Sequence, residues 1–482
     1  MEHEAENMVY KKIRRTMKKT LQKFLSVLLV VVFSVSLSGC LREKETPYTV
    51  SLEMWGVFDD TDAYRDIIGP YLRMNPHVRM IEYRKMDVDT YQRDLLDALA
   101  AGNGPDIFMI RNVWLPSFAN KLAPADPGFV SEKDYRDAFV DVAADDFFSD
   151  GKVYAVPLSV DSLALYYNKD ILNATGIASP PKTWQELLRG IRPLTRVDEY
   201  GTIIQSALAM GTAYNVNRST DLLSLIFLQF GVSANSFGQN KADFGNGAAT
   251  DSMTFYTQFA QPSGAYYTWN PRTDYSIDAF YAGKAAMMIN YSWQIETIRQ
   301  KNAKLNFGIA PLPQFENTVP VNFANYWGLA VSKNKEVKPV AAGEQATAPA
   351  GKENDLRVFE SWQFLRYLAF PHDGKVVTLY NGLTQNPKEF PLTDDPTQVY
   401  LTATKKPAAR RDLLSVQQSD AILSSFATGN LIARSFQQLN PEETERILAE
   451  AIAKVNSGEA SISDTLSLAE SRINLLGSDI RR

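Results

Sequence analysis

The sequence predicts an α/β protein built from two lobes, each a mainly parallel sheet flanked by helices. Its 482 residues are more than one hydrophobic core usually accommodates. Between Tyr48 and Ile110, extended segments alternate with helical ones, which is the pattern of a parallel sheet with helical crossovers. Segment 151–172 contains two strand-like runs interrupted at Pro157, and we interpret the interruption as a crossing between the lobes. The alternative is one long buried strand with a polar kink.

The first 39 residues have the features of an export signal. Seven basic residues precede the apolar run 24–38, which is short for a membrane-spanning helix and typical of a signal sequence. The run ends in Leu-Ser-Gly-Cys, which resembles a bacterial lipobox, and Cys40 is the only cysteine. We interpret residues 1–39 as a cleaved signal peptide, Cys40 as the lipidated residue and 40–47 as a linker. An uncleaved anchor with an incidental cysteine is the alternative.

The first lobe begins with an alternation of strands and helices. Strands are predicted at 48–55, 78–83 and 105–110, and helices at 63–74 and 91–101. Ligands of such sheets bind outside the carboxyl ends of the strands. Six residues are therefore expected on the binding side: Trp55, Asp59, Asp60, Asp62, Arg111 and Asn112. A surface ion pair is the alternative for Arg111, and a helix cap for one of the aspartates.

Beyond the crossing at Pro157, helical and extended segments continue to alternate. Thr183 followed by Glu186 has the spacing of a capping box and predicts a helix start. Further segments are predicted as helices at 221–230 and 252–259, and as strands at 285–289, 307–310 and 325–331. Residues 341–355 are rich in Ala, Gly, Pro and Glu and are predicted to form an exposed insertion. The remainder is predicted to be helical, most clearly at 360–368 and 441–455.

Five sequence blocks resemble, in order, those of the family 1 extracellular solute-binding proteins of ABC importers, the relatives of maltose-binding protein. The blocks are GNGPDIFMI, GKVYAVPLSVDSLALYYNKDIL with PPKTWQEL, FYAGKAAMMINYSWQI, FGIAPLPQ and NYWGLAVSKN. The resemblance extends from about residue 48 to the C-terminus. The chain departs from the family at the 341–355 insertion and at 380–384, where many relatives have a loop with proline and basic residues.

The resemblance implies the type II periplasmic-binding-protein fold, whose two lobes close on a ligand about a hinge of three crossover segments. Residue matching places the crossings near 157–161, 290–293 and 325–328. The first lobe would then comprise 48–158 and 292–326, and the second 159–291 and 327–482.

A sugar site needs aromatic faces for the apolar side of each ring and polar groups for the hydroxyls. Residues near the predicted crossings offer both kinds of group. These candidates are Asp161, Trp293, Asn325, Tyr326 and Trp327, with Trp269 added as a further aromatic. Core packing is the alternative for every aromatic residue. We expect no cofactor and no metal.

The resulting hypothesis is a lipid-anchored, monomeric receptor outside the cytoplasmic membrane that captures a sugar or oligosaccharide and delivers it to an ABC permease. It is not expected to be an enzyme. One alternative is a lipoprotein of the same fold that presents solute to a signalling receptor. Another is a non-sugar solute, such as a polyol phosphate or a peptide-like ligand, whose anionic group would meet Arg111.

Other functions receive less support from the sequence. The formal charge of −5 argues against nucleic acid binding, which needs a basic surface. The acidic cluster at 59–62 has no second acidic cluster clearly facing it, as a glycosidase would need, and lacks the distal glutamate of a calcium loop. Tyr166 and Tyr167 are similar to the adjacent tyrosines of ferric-ion-binding proteins, but strand alternation would point them to opposite faces. The three histidines are scattered.

Overall fold

Two five-stranded sheets, each with its own hydrophobic core, organise the protein in a computed structural model. The structure describes residues 48–232, 242–335, 348–436, 438 and 440–476. The predicted signal peptide, Cys40, the linker and residues 341–347 of the predicted insertion lie outside the described residues. Of that insertion, the described part ends in the start of a helix at Glu353.

The strands are, in chain order, β1 Val50–Gly56, β2 Val78–Lys85, β3 Ile107–Arg111, β4 Phe148–Ser149, β5 Lys152–Val153, β6 Ala155–Val156, β7 Ala164–Asn168, β8 Arg196–Val197, β9 Ile203–Leu208, β10 Ala285–Asn290, β11 Phe307–Ala310, β12 Asn322–Phe323, β13 Trp327–Val331, β14 Val376–Tyr380, β15 Pro387–Pro391 and β16 Ala433–Arg434.

The α-helices are α1 Asp62–Met74, α2 Tyr91–Ala100, α3 Leu115–Phe118, α4 Glu132–Ala138, α5 Asp141–Phe147, α6 Lys169–Ala174, α7 Trp184–Leu194, α8 Ser219–Gln229, α9 Gly247–Thr257, α10 Ser276–Tyr281, α11 Gln294–Lys301, α12 Glu353–Ala369, α13 Pro396–Thr404, α14 Arg411–Gln417, α15 Ser424–Asn430, α16 Pro441–Ser457 and α17 Ile462–Leu476. Short 3-10 turns lie at Ala119–Lys121, Gln258–Ala260 and Asp373–Lys375.

The first sheet has the strand order β2-β1-β3-β13-β6. Strand β1 pairs in parallel with β2 and β3, whereas β13 runs antiparallel to β3 and β6. The four residues Ile107–Ile110 of β3 are all buried, because helices cover both faces of a central parallel strand. Because β13 runs antiparallel to β3, with Trp327 opposite Arg111, the carboxyl end of β3 lies beside the start of β13.

The second sheet has the strand order β11-β7-β10-β9-β8. Strand β10 pairs in parallel with β9 and antiparallel with β7, and all six of its residues are buried. On the next strand, Gly308 lies against the ring of Tyr167, and a Cβ there would approach Tyr167 Cζ to 2.4 Å. The glycine on this edge strand therefore allows the bulky ring of Tyr167 on the neighbouring strand to pack closely.

The strand pairings correct the predicted division into lobes. Strand β11, predicted to belong to the first lobe, pairs with β7 of the second sheet, and β13, predicted to belong to the second lobe, pairs with β3 of the first. Because β10 and β11 share a sheet, the chain does not cross at 290–293 as predicted. It passes between the sheets after β6, between β11 and β13, and between the cores after α14, where Leu414 packs in the first core and Phe426 in the second.

The C-terminal third is divided between the two cores. Trp362 and Tyr400, from α12 and α13, pack in the first core, whereas Ile447 and Leu466, from α16 and α17, pack in the second. Among the described residues, no helix combines the length and apolarity needed to cross a membrane.

Gly328, the second residue of β13, provides a test of this packing. A Cβ at this position would lie 2.5 Å from Phe147 Cε2 and 3.2 Å from Ala155 Cβ. We expect Gly328→Ala to lower the free energy of unfolding by about 1–3 kcal/mol, because the core is overpacked. The control is Gly247→Ala at the start of α9, where a Cβ meets nothing within 4 Å. Urea unfolding followed by circular dichroism measures both, and equal stabilities would contradict the prediction.

Candidate functional site

A cavity of about 1150 Å³ opens where the two sheets are joined by the crossing segments. Residues packed with the first core line one side and residues packed with the second core line the other. The lining includes Phe58, Tyr64, Met109, Trp327, Tyr400 and Lys406 from the first group, Arg218, Ser292, Trp293, Ile295, Ile422 and Leu423 from the second, and Asp161 and Asn325 from the crossings. We call this cavity the cleft.

Trp293 presents an aromatic face to the cleft. It immediately precedes α11 and is 41% exposed. Its ring stacks on that of Tyr291, with centroids 4.4 Å apart and an interplanar angle of 22°. The hydroxyl of Tyr291 donates to Asp221 Oδ2 at 2.8 Å, and Tyr291 is fully buried. One face of the indole thus packs on the buried ring of Tyr291, while the residue remains partly accessible from the cleft.

Phe58 and Trp327 form a second aromatic surface on the first-lobe side. Phe58 is 45% exposed, and its ring meets Trp327 edge-on with centroids 5.5 Å apart. Trp327 is backed by the buried ring of Trp114 at 5.1 Å. Trp327 was predicted from the sequence and Phe58 was not, although Phe58 lies in the loop that follows the first strand, where ligands of such sheets bind.

Asp161 is buried at the first crossing and borders the cleft. Its Oδ2 accepts hydrogen bonds from the amide and the hydroxyl of Ser292, at 2.9 and 2.5 Å. Its Oδ1 has no partner among the described residues. Burial raises the pKa of Asp161 to about 7, although the bonds from Ser292 act in the opposite direction. The carboxyl group is therefore held in place with one oxygen available as an acceptor.

The predicted acidic cluster is separated in the structure. Asp59 is buried and accepts from the hydroxyl of Tyr400 at 2.8 Å and from Lys406 Nζ at 2.5 Å, so it fixes two side chains that line the cleft. Asp60 and Asp62 are exposed and pair with Lys85 and Arg65, each at 2.9 Å. The last two aspartates are surface residues, because only Asp59 turns inward from this loop.

Two predicted tryptophans belong to the cores and not to the cleft lining. Trp55 is 7% exposed, packs in the first core, and donates its indole N–H to Glu53 Oε1 at 2.8 Å. Trp269 is 1% exposed and packs in the second core. Core packing, the alternative reading of each aromatic, applies to both because their rings are enclosed on all sides.

Three further predicted residues form contacts within the protein. Tyr326 borders the cleft, but its hydroxyl donates to Asp146 Oδ2 at 2.7 Å, and Asn112 Nδ2 donates to the same oxygen at 3.0 Å. Arg111 pairs with Glu445 at 2.9 Å and with Glu442 at 3.3 Å, both on α16. Arg111 therefore links β3 to the second core. Because its guanidinium is already paired, it is not available to bind an anionic solute as the sequence hypothesis expected.

Asn325 takes part in the polar network that joins the crossings. Its amide N–H donates to the carbonyl of Asp161 at 3.0 Å, and its Nδ2 donates to Asp221 Oδ2 at 3.2 Å. Asn325 also lines the cleft.

Three further residues that line the cleft were not predicted from the sequence: Arg218, Tyr400 and Lys406. Tyr400 and Lys406 are distant in sequence from the first strands, and no local spacing connects them to Asp59. Arg218 gave no signal, because a single arginine before a helix is common. Among the described residues, no group of three His, Cys, Asp or Glu side chains is arranged to hold a metal.

The raised pKa of Asp161 predicts a pH dependence of stability. Between about pH 4 and pH 7 the folded protein retains a proton that the unfolded chain has released, so unfolding becomes easier as the pH rises, with a slope of at most about 1.4 kcal/mol per pH unit. We expect Asp161→Asn to remove this contribution. The variant should gain stability relative to the parent from pH 5 to pH 8, as measured by urea unfolding. Asp60→Asn, at an exposed position, is the control, and parallel profiles for all three proteins would contradict the assignment.

The chain matches the family described as "Bacterial extracellular solute-binding protein" over residues 81–370, more than half of its length. It is 26% identical over 261 residues to the maltotriose-binding protein of Pyrococcus abyssi, covering 53% of this chain and 51% of that protein. It is 27% identical over 230 residues to the maltodextrin-binding protein MdxE of Bacillus subtilis, covering 45% and 49%. The chain thus spans about half the length of these curated relatives.

Solved structures share the architecture over nearly the whole chain. The sugar-binding protein MalE of Xanthomonas citri superimposes with a TM-score of 0.68 at 18% identity, covering 90% of this chain and 98% of that one. The cyclic α-maltosyl-1,6-maltose binding protein of Arthrobacter globiformis gives a TM-score of 0.67 at 19% identity, covering 89% and 99%. These likenesses confirm the predicted two-lobed α/β fold. Because the family match covers more than half of its length, the chain belongs to the family of bacterial extracellular solute-binding proteins.

Proposed function

We propose that this protein captures a carbohydrate in the cleft and delivers it to the permease subunits of an ABC importer. The observation that carries the proposal is the pairing of accessible aromatic rings, Trp293 on one side and Phe58 with Trp327 on the other, around one cavity. Aromatic faces pack against the apolar C–H faces of sugar rings. The names of the maltotriose- and maltodextrin-binding relatives support the same class of ligand.

The polar groups at the crossings would form hydrogen bonds with the hydroxyl groups of the sugar. Asp161 offers Oδ1, which has no hydrogen-bond partner among the residues that the structure describes, and Asn325 lies beside it. A hydroxyl bound there gains a hydrogen bond to a group that is otherwise buried and unsatisfied, and leaving such a group unpaired costs about 1–3 kcal/mol. The cavity volume of about 1150 Å³ slightly exceeds the usual range for small-molecule sites, which favours a ligand with more than one ring.

The proposed mechanism is hinge closure. A ligand between the lobes touches residues of both cores, and these contacts are complete only when the lobes are together. Binding would therefore shift the population towards a closed form, which docks on the permease. The protein would act by binding and release, without catalysis, as a monomer.

We propose further that Cys40 carries a lipid that holds the protein outside the cytoplasmic membrane. The supporting pattern is the basic stretch followed by the apolar run and Leu-Ser-Gly-Cys. In cells grown with a labelled fatty acid, the parent protein should incorporate the label and Cys40→Ser should not. Absence of label from the parent, or equal labelling of the two proteins, would contradict lipidation at this residue.

A thermal-shift screen of the purified protein against neutral and acidic oligosaccharides tests the carbohydrate proposal. A ligand at about 100 times its dissociation constant should add roughly 2.7 kcal/mol of stability. The proposal fails if no carbohydrate shifts the melting temperature.

The contribution of Trp293 can be separated from folding. Trp293→Ala should lower carbohydrate affinity at least about tenfold, while the unliganded melting temperature changes little because the ring is accessible. Tyr200→Ala, at an aromatic residue that is 85% exposed and outside the cleft lining, is the control for affinity. Trp269→Ala, in the core, should instead lose about 3–5 kcal/mol of stability. Calorimetric titration and thermal melts distinguish these outcomes; a large loss of unliganded stability in Trp293→Ala would place the residue in the core.

A further inference from the structure

We propose that the captured carbohydrate is acidic, and that Arg218 on the wall of the cleft pairs with the carboxylate of a uronic acid unit. This inference rests on the proposed function and names the class of sugar. It replaces the expected role of Arg111, whose guanidinium is already held by Glu442 and Glu445.

Arg218 lies in the cleft with its hydrogen-bonding capacity unused. Its guanidinium is 5.8 Å from the ring centroid of Trp293, and both residues line the cavity. Within the part of the chain that the structure describes, no hydrogen bond or ion pair of this guanidinium is found. A guanidinium carries five N–H donors in a planar fork that matches a carboxylate. An unpaired fork beside an aromatic face is therefore a site for an anionic group on a ring.

Two of the other charged groups nearby already have partners. Lys406 is paired with Asp59, and Glu445, whose carboxylate Arg218 influences electrostatically, is paired with Arg111. The cleft also has acidic residues on its walls, but Glu296 accepts from Gln300 Nε2 at 3.0 Å and Asp420 Oδ1 accepts from the amides of Ile422 and Leu423. None of these acids neutralises Arg218 through a direct contact.

The backbone holds Arg218 in an unfavourable conformation. Its φ and ψ angles are 57° and 36°, in the left-handed region that side chains other than glycine rarely adopt. The preceding Asn217 is fixed on two sides, since its amide donates to Ser276 Oγ at 2.8 Å and its Oδ1 accepts from Asn290 Nδ2 at 3.0 Å. The following Ser219 donates its hydroxyl to the carbonyl of Ala213 at 2.7 Å.

The hydrogen bonds of the residues before and after Arg218 hold its backbone in this strained conformation. They also fix the point from which its side chain extends. Strained residues persist where the surrounding structure enforces them, and they concentrate at functional sites. Lys405, also in the left-handed region with φ 55°, is an exposed basic residue on the same lining. Two of the non-glycine residues with positive φ are thus basic residues of the cleft.

The geometry suggests how a uronate would bind. The apolar face of its ring would pack on Trp293, and its carboxylate would accept two parallel N–H bonds from Arg218. Charge-assisted bonds of this kind are roughly twice as strong as neutral ones, so a neutral sugar of the same shape would bind more weakly.

The test compares oligouronates with their methyl esters, which keep the rings and remove the charge. Trigalacturonate, triglucuronate and trimannuronate, each with its ester, are titrated calorimetrically into the purified full chain, with maltotriose as a neutral reference. We expect at least one acid to bind about tenfold or more tightly than its ester. In Arg218→Gln this ratio should fall towards one, and in Arg218→Lys it should fall part of the way because the fork is lost. Arg272→Gln, which removes an exposed arginine outside the cleft lining, is the control and should keep the ratio.

The possible outcomes separate the two proposals. If maltotriose binds and no acid is preferred over its ester, the acidic assignment is overturned while carbohydrate capture stands. If an acid is preferred equally in the parent and in Arg218→Gln, Arg218 is not its partner and the assignment is overturned as well. If no sugar binds, both proposals fail. Thermal melts of each variant without ligand establish that altered binding does not reflect unfolding.

Discussion

The hydrogen bonds of Asp161 hold together the place where the two lobes meet. Its side chain accepts two bonds from Ser292, at the exit of β10, and its carbonyl accepts the amide N–H of Asn325, just before β13. One residue thus joins three segments that are far apart in the chain. Because these segments border the cleft, the positions of Ser292, Trp293 and Asn325 depend on this junction.

A second set of bonds connects the junction to the aromatic surface. Asp221, buried in the first turn of α8, accepts from Asn325 Nδ2 and from the hydroxyl of Tyr291, on which Trp293 stacks. The indole is therefore positioned by a buried polar network and not by the loop alone. Such a network is costly to leave half satisfied, so it specifies one arrangement. Arg218 lies next to this network, and its guanidinium is over the Trp293 ring without a hydrogen bond or ion pair to any described residue. Asp221 and Tyr291 therefore build the site, whereas Arg218 is available to a ligand.

The periodicity of the sequence predicted the helices and strands well, but it predicted less well which strands pair in the same sheet. The alternation from Tyr48 to Ile110 predicted β1, α1, β2, α2 and β3, because each apolar pattern is local. The lobe boundaries were wrong at β11 and β13, since strand pairing is decided by contacts between distant segments. A short, mostly apolar strand of four or five residues fits either sheet by composition. The residues at 290–293 illustrate this: they contain a break in the strand, but the chain remains in the second sheet after it.

The sequence by itself determined the fold class, the family blocks and the segments that contribute Asp161, Trp293, Asn325 and Trp327, because these depend on local patterns and on order along the chain. Only the tertiary structure decided which side chains face the cleft. Trp55 and Trp269 are as aromatic as Trp293, yet cores enclose them, and Asp59 differs from Asp60 and Asp62 only in meeting Tyr400 and Lys406, more than 300 residues away. Exposure and pairing are properties of the packed chain, and no spacing along the sequence encodes them.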